Sequence, residues 1–519
     1  MGRVPTKTAC TVAAAMPILL ILILLNASPA RAASCESLAA LKLPNATITM
    51  ATLVPKGRFV APPEAQEHGI RTAKFDDLPA FCRVAATLTP SRDSNIMFEA
   101  WLPVDWNQRF KGNWGLGGAA IHDEDGIGYF GLAAALRQGF AVAVTDTGRK
   151  GDSRYAIDHP EQIVDFGERA VREMTVKAKA LITAFYGRGP QFSYMAECGA
   201  GAIGALKEAQ RYPDDYDGLV AGGGTAHMTR HAVAQMFMWQ VSHTEPGSVI
   251  PRDKLVVLHQ AALLACDARD GIEDGVIGDP PGCTFDPGVI ECKGGDGPSC
   301  LTAKQVETAR QMYRGPRNPR TGEQLFSPVY PGSELNWPAV TGTKVAGAGN
   351  EFFKYFVFKD PAYDYMAHPV NYDSHIALVD RPEIQVVNAI DPDIRQYVQR
   401  GGKLIIYKGW NDAGVPPGQP VDYYDRVVKK IGTKAASDAV RLYMVPGMNM
   451  CSGGDGADTF DWFATMRTWV EQKRAPADLV ASRVVNGKTV RTRPLCAYPQ
   501  VATYKGSGNA DGAASFVCR

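Results

Sequence analysis

The run Phe192-Ser-Tyr-Met-Ala-Glu-Cys-Gly-Ala-Gly201 sets a short apolar strand, a turn of small residues and a helix-forming stretch in direct succession. A strand passing through a strained turn into a helix is the elbow that lifts a nucleophile above a sheet, with the pattern G-x-S-x-G. Here the five central residues are Glu197, Cys198, Gly199, Ala200 and Gly201, so the nucleophile slot holds Gly199. Glycine accepts the strained backbone but carries no atom that could attack a carbonyl. Its neighbours offer other chemistry. Glu197 could transfer protons, or it could simply be salt-bridged or face solvent. Cys198 could act as a thiolate if it were unpaired. The Ala200 N–H, with that of Gly117 from Gly115-Leu-Gly-Gly118, would make an oxyanion pocket from backbone alone. His227, after Gly222-Gly-Gly-Thr-Ala, is a weaker candidate, and His122 and His375 are weaker still. A second cluster lies in Cys266-Asp-Ala-Arg-Asp-Gly-Ile-Glu-Asp-Gly-Val-Ile-Gly-Asp279. It sets Asp267, Asp270 and Asp274 on a glycine-rich loop, the kind of oxygen-rich turn calcium takes, although an EF-hand's closing Glu is missing.

These groups need an exported, disulfide-tied frame. Arg3 and Lys7 precede an apolar run from Ala13 to Leu25, and Ala30-Arg-Ala32 supplies small residues for a signal peptidase. Residues 1–32 therefore read as a signal peptide rather than a membrane anchor, since about 13 apolar residues span a bilayer poorly. Of 11 cysteines only Cys10 lies in that leader. Cys35, Cys82, Cys198, Cys266, Cys283, Cys292, Cys300, Cys451, Cys496 and Cys518 remain, an even set that suits disulfides outside the cytoplasm, in periplasm or medium. Cys266 with Cys283, Cys292 with Cys300, and Cys496 with Cys518 would close short loops. A formal net charge of +1 gives no reason to expect nucleic acid or a membrane as partner.

Strands are expected at Phe98–Pro103, Ala141–Thr145, Phe192–Ala196, Lys403–Tyr407 and Val440–Val445, and helices at 168–186, 202–211, 421–431 and 458–472. This alternation predicts an α/β protein with a doubly wound, mostly parallel sheet. The rhythm fails between 225 and 385, which reads as an inserted lid domain between core segments 33–224 and 386–519.

Four stretches resemble the tannase and feruloyl-esterase family: 166–182, 208–222, Lys403-Leu-Ile-Ile-Tyr-Lys-Gly-Trp-Asn-Asp-Ala-Gly-Val-Pro-Pro417, and Leu442-Tyr-Met-Val-Pro-Gly-Met-Asn-Met-Cys451. The similarity runs over about 35 to 518 and implies an α/β-hydrolase fold with aromatic esters as substrates, polyester-monomer esterases being relatives. In the family the elbow reads Gly-Cys-Ser-x-Gly and the late motif Val-Pro-Gly-Met-x-His-Cys, with the two cysteines bridged. Carried over, the bridge joins Cys198 to Cys451, the serine position is Gly199 and the histidine position is Met450. The acid position is Asp412, which is retained. The resemblance also makes the acidic loop a structural calcium site in the lid, with carbonyls from Ile272 and Val276 joining Asp267, Asp270 and Asp274. No organic cofactor is implied.

A serine triad needs a hydroxyl, an imidazole and a carboxylate, and losing one member costs ~10⁴-fold in rate. Ordinary serine ester hydrolysis therefore does not fit this chain. Three readings remain: a non-catalytic binder of a small aromatic ester or phenolic ligand, an enzyme using Glu197 and Asp412 for acid–base chemistry, and an ester hydrolase by a route that needs neither lost side chain.

Overall fold

The structure, a computed structural model, describes residues 1–3, 34–61, 75–114, 127–149, 152–345, 347–477 and 479–519. The expected signal peptide, Gly117 and His122 lie outside these residues, apart from 1–3 at its start. Nine strands form the main sheet: β1 (Ala46–Val54), β2 (Phe81–Leu88), β3 (Ile96–Pro103), β4 (Arg109–Trp114), β5 (Ala141–Thr145), β6 (Phe192–Cys198), β7 (Gly218–Gly222), β8 (Lys403–Gly409) and β9 (Val440–Val445). Their order is β1-β2-β3-β5-β4-β6-β7-β8-β9. β1, β2, β3 and β5 pair antiparallel along one side. From β5 through β4, β6, β7, β8 and β9 every pairing is parallel.

β5 and β7 are short, wholly buried and nearly all apolar because both sheet faces are covered. On β8, Leu404 and Ile406 enter one core while Ile405 and Tyr407 enter the other. The first face is covered by α2 (Ala170–Tyr186) and α3 (Gly201–Arg211), through Ala170, Met174, Ala178 and Leu181 on α2 and Ile203 and Leu206 on α3. The second is covered by α1 (Ile127–Arg137) and α8 (Trp462–Gln472), through Leu132 and Leu136 on α1 and Trp462, Met466 and Trp469 on α8. This is the α/β-hydrolase arrangement.

No strand of the main sheet falls between β7 and β8. That insertion holds α4 (Met228–His243), α5 (Arg252–Cys266) and α6 (Ala303–Arg314), packed around a core of their own that includes Met238, Leu258, Val306, Met312 and Trp337. α7 (Gly418–Ile431) follows β8. The C-terminal residues do not extend the core sheet. β10 (Leu479–Val485) with β11 (Lys488–Leu495), and β12 (Ala502–Tyr504) with β13 (Phe516–Cys518), make two separate two-stranded sheets.

All ten cysteines expected to remain after the leader are paired. The three short loops close as their spacing suggested, Cys198 bonds Cys451 across 253 residues, and Cys35 bonds Cys82.

Candidate functional site

Adjacent parallel strands β6, β7, β8 and β9 all end at one edge, and the loops leaving them meet there. Ligands of open α/β sheets bind at such carboxyl ends. β6 ends at Cys198, and Gly199 then turns with φ +65°, a left-handed conformation that strains any residue with a Cβ. Its N–H donates to Gly222 O at 2.8 Å, locking the elbow to the end of β7. Gly223 N–H donates in turn to Tyr407 O on β8, also at 2.8 Å. A Cβ at Gly224 would run into Gly199 O, and one at Gly223 into Cys451 Sγ and the Met450 carbonyl and side chain. The glycines thus allow the serine position and the histidine loop to close on one another, and the Cys198–Cys451 bond fixes them.

The acid loop completes the constellation. Trp410 N–H donates to Val445 O and Asn411 N–H to Met448 O, both at 3.0 Å, seating the Asp412 loop against the β9 loop. A Cβ on Gly414 would stand 3.3 Å from Asp412 Oδ1 and 4.0 Å from the Met450 methyl, so Met450 lies beside the retained acid. The three positions carried over from the family therefore lie on adjoining loops, Gly199 against Gly224, Met450 against Gly223, and Asp412 and Met450 both close to Gly414. Ala200 opens α3 from that elbow, where a helix start presents unpaired N–H groups.

Asp412 is not free. It is 4% exposed, and its Oδ2 accepts from the Lys408 ammonium while its Oδ1 accepts from Val415 N–H at 3.1 Å. Lys408 also donates to Gly223 O. Burial holds the Lys408 ammonium below its usual pKa, partly offset by Asp412. Beside this pair, His231 on α4 meets Gly414 O at 2.8 Å, and burial lowers its pKa, keeping the ring neutral at pH 7. Neither Lys408 nor His231 stood out in the sequence. Lys408 lay inside a quoted motif, but a strand residue's contact with the turn after it has no periodic signature.

Glu197 stands differently from the other candidates. Its Oε1 accepts from Trp114 N–H at 2.9 Å, and its Oε2 fills space left by Gly201 at the start of α3. Burial pushes its carboxyl up to about 7, opposed by Lys111 and the Trp114 N–H. Asp412 bonds Lys408, and no hydrogen bond joins Glu197 to Asp412 among the described residues. His227 precedes α4 and is held near pKa 4, chiefly by burial and then by Arg230 and Arg426. His375 sits at the start of a short lid helix, remote in sequence from these loops.

The acidic loop follows α5 and is closed by Cys266–Cys283. Asp267 accepts from Gly275 N–H at 2.8 Å and Asp270 from Ile272 N–H at 3.3 Å, while Asp274 accepts from Val276 N–H at 3.1 Å and pairs with Arg493. Burial, with repulsion from Asp274 and Asp267, pushes Asp270 up to about 6. Among the described residues no three His, Cys, Asp or Glu side chains form a metal cluster. The side-chain donors of the loop are all oxygen, the kind calcium takes, and Asp274 already pairs with Arg491 and Arg493.

The tannase and feruloyl esterase profile matches residues 82–519. An uncharacterized esterase of Xanthomonas campestris is 36% identical over 94% of this chain and 91% of its own. A probable feruloyl esterase B-2 of Aspergillus oryzae is 30% identical, covering 92% and 93% of the two chains. The crystal structure of an esterase from Aspergillus oryzae superposes with a TM-score of 0.83 at 27% identity, over 93% of this chain and 99% of that one. The fold is that of the α/β hydrolases. The chain belongs to the tannase and feruloyl esterase family.

Proposed function

We propose that this chain is an exported protein that binds small aromatic carboxylic esters or phenolic acids in the family's cleft, without serine-triad hydrolysis. One observation carries the reading: at an intact elbow the nucleophile position is Gly199, and the base position beside Asp412 is the thioether of Met450. Neither can form an acyl-enzyme or take a proton. Backbone donors and the lid survive such a loss, so recognition can outlast chemistry. The aromatic preference comes from what the relatives are named for, and export from the five disulfides and the leader-like N-terminus. We also propose that calcium at Asp267, Asp270 and Asp274, with the carbonyls of Ile272 and Val276, stiffens the lid.

A second reading draws on Glu197, whose pKa of about 7 suits general acid–base work at neutral pH. One experiment weighs both. Hydrolysis of a chromogenic aromatic ester is measured for the native protein, Glu197→Gln and Gly199→Ser/Met450→His, with binding of the ester followed by tryptophan fluorescence. Saturable binding with native turnover below ~10⁻² s⁻¹ supports the binding protein, ordinary enzymes turning over at ~10 s⁻¹. Native turnover near that ordinary value sinks it, and loss of such turnover in Glu197→Gln selects the second reading.

A further inference from the structure

The acid position has changed as well, although its residue has not. Lys408 is fully buried near the end of β8, and among the described residues its ammonium reaches only interior acceptors, Gly223 O and Asp412 Oδ2. A buried ammonium without a partner is costly, so the pair is held closed. Asp412 has its other oxygen on Val415 N–H. In a working triad the carboxylate does two things: it orients the imidazole and it stabilises the imidazolium that forms during reaction. Here both oxygens are engaged before any ring stands at position 450, Oδ2 by Lys408 and Oδ1 by Val415 N–H. Lys408 also cancels the charge that would stabilise the imidazolium, because an Asp–Lys pair is neutral.

We infer that Lys408 is a positioning residue that ties Asp412 into an internal ion pair spanning β7, β8 and the acid loop, so that the acid is unavailable to an imidazole at position 450. The machinery is thus altered at three places, not two. Restoring a serine and a histidine alone leaves a dyad without its carboxylate. The inference rests on reading Gly199 and Met450 as the vacant nucleophile and base positions. It does not depend on which ligand the cleft takes.

The test compares two full-length variants, Gly199→Ser/Met450→His and the same chain carrying Lys408→Met. The substrate is p-nitrophenyl acetate, whose acetyl group needs no aromatic pocket, so a failure of aromatic recognition would not imitate the result. The triple variant is expected to exceed the double variant in kcat by ~10²-fold or more, with KM moving less than about threefold, since depriving a triad of its carboxylate costs ~10⁴-fold. The introduced imidazole, followed by NMR, is expected to titrate at least about one pH unit higher in the triple variant, because Asp412 then serves it. This titration decides the matter even if neither variant turns over substrate. Equal and measurable kcat in the two variants, a faster double variant, or an imidazole titrating at the same pH in both would overturn the proposal. If Lys408→Met does not fold, Lys408→Gln, which keeps a donor for Gly223 O, is judged by the same readings.

Discussion

Glu197→Gln is expected to stabilise the protein at alkaline pH, although it removes a charged group from a well-ordered site. The wild-type carboxyl has its pKa raised from 4.5 to about 7, chiefly by burial. Between those two values the folded protein binds a proton that the unfolded chain has released, so stability falls as pH rises through that window. The cost is absent below about pH 4.5 and complete above about pH 7. A shift of this size corresponds to at most ~3 kcal/mol. Unfolding entropy scales with length, so in a chain of this size each kcal/mol moves Tm by about 1 °C. Glutamine keeps an acceptor for Trp114 N–H and carries no charge to desolvate. Thermal unfolding followed by circular dichroism should therefore show the variant about 3 °C above wild type at pH 8 and level with it at pH 4.5. A variant less stable than wild type at pH 8, or a difference independent of pH, would show that the buried carboxyl is not under this strain.

Replacing Cys198 and Cys451 together by serine should cost about 5 kcal/mol, since the bond closes a loop of 253 residues, and lower Tm by about 5 °C in non-reducing buffer. Returning calcium at ~100 times its dissociation constant to chelator-treated protein should raise Tm by about 3 °C. That gain should fade below about pH 6, where Asp270 takes up a proton, and an unchanged Tm at pH 8 would count against a lid calcium site.

The core was readable because its strands are buried on both faces. Ala141–Thr145 is apolar up to its closing Thr145 and Val440–Val445 is apolar but for Arg441, and their bounds match the sequence reading. The elbow was readable because a strand, small residues and a helix adjoin in sequence. No strand was expected after Val445, although Asn486-Gly487 between β10 and β11 is a hairpin signal; both residues have positive φ there. The partner of Asp412 was not readable. Lys408 and Asp412 are four apart, but the first ends a strand and the second lies in a turn, so no regular period brings them together. His231 was hidden for a related reason: it meets Gly414 across 183 residues.

The glycines at 222–224 bear on how this site can change. They join the loops through backbone atoms, Gly199 N–H to Gly222 O, Gly223 N–H to Tyr407 O and Lys408 to Gly223 O. A side chain at any of them would displace Gly199, Met450, Cys451 or Tyr407. Point mutations there are barred by sterics, while the side chain at 450 can vary with the backbone left in place. The backbone frame around the elbow is thus fixed by its glycines, and the chemistry at its mouth is set by the few side chains that project from it.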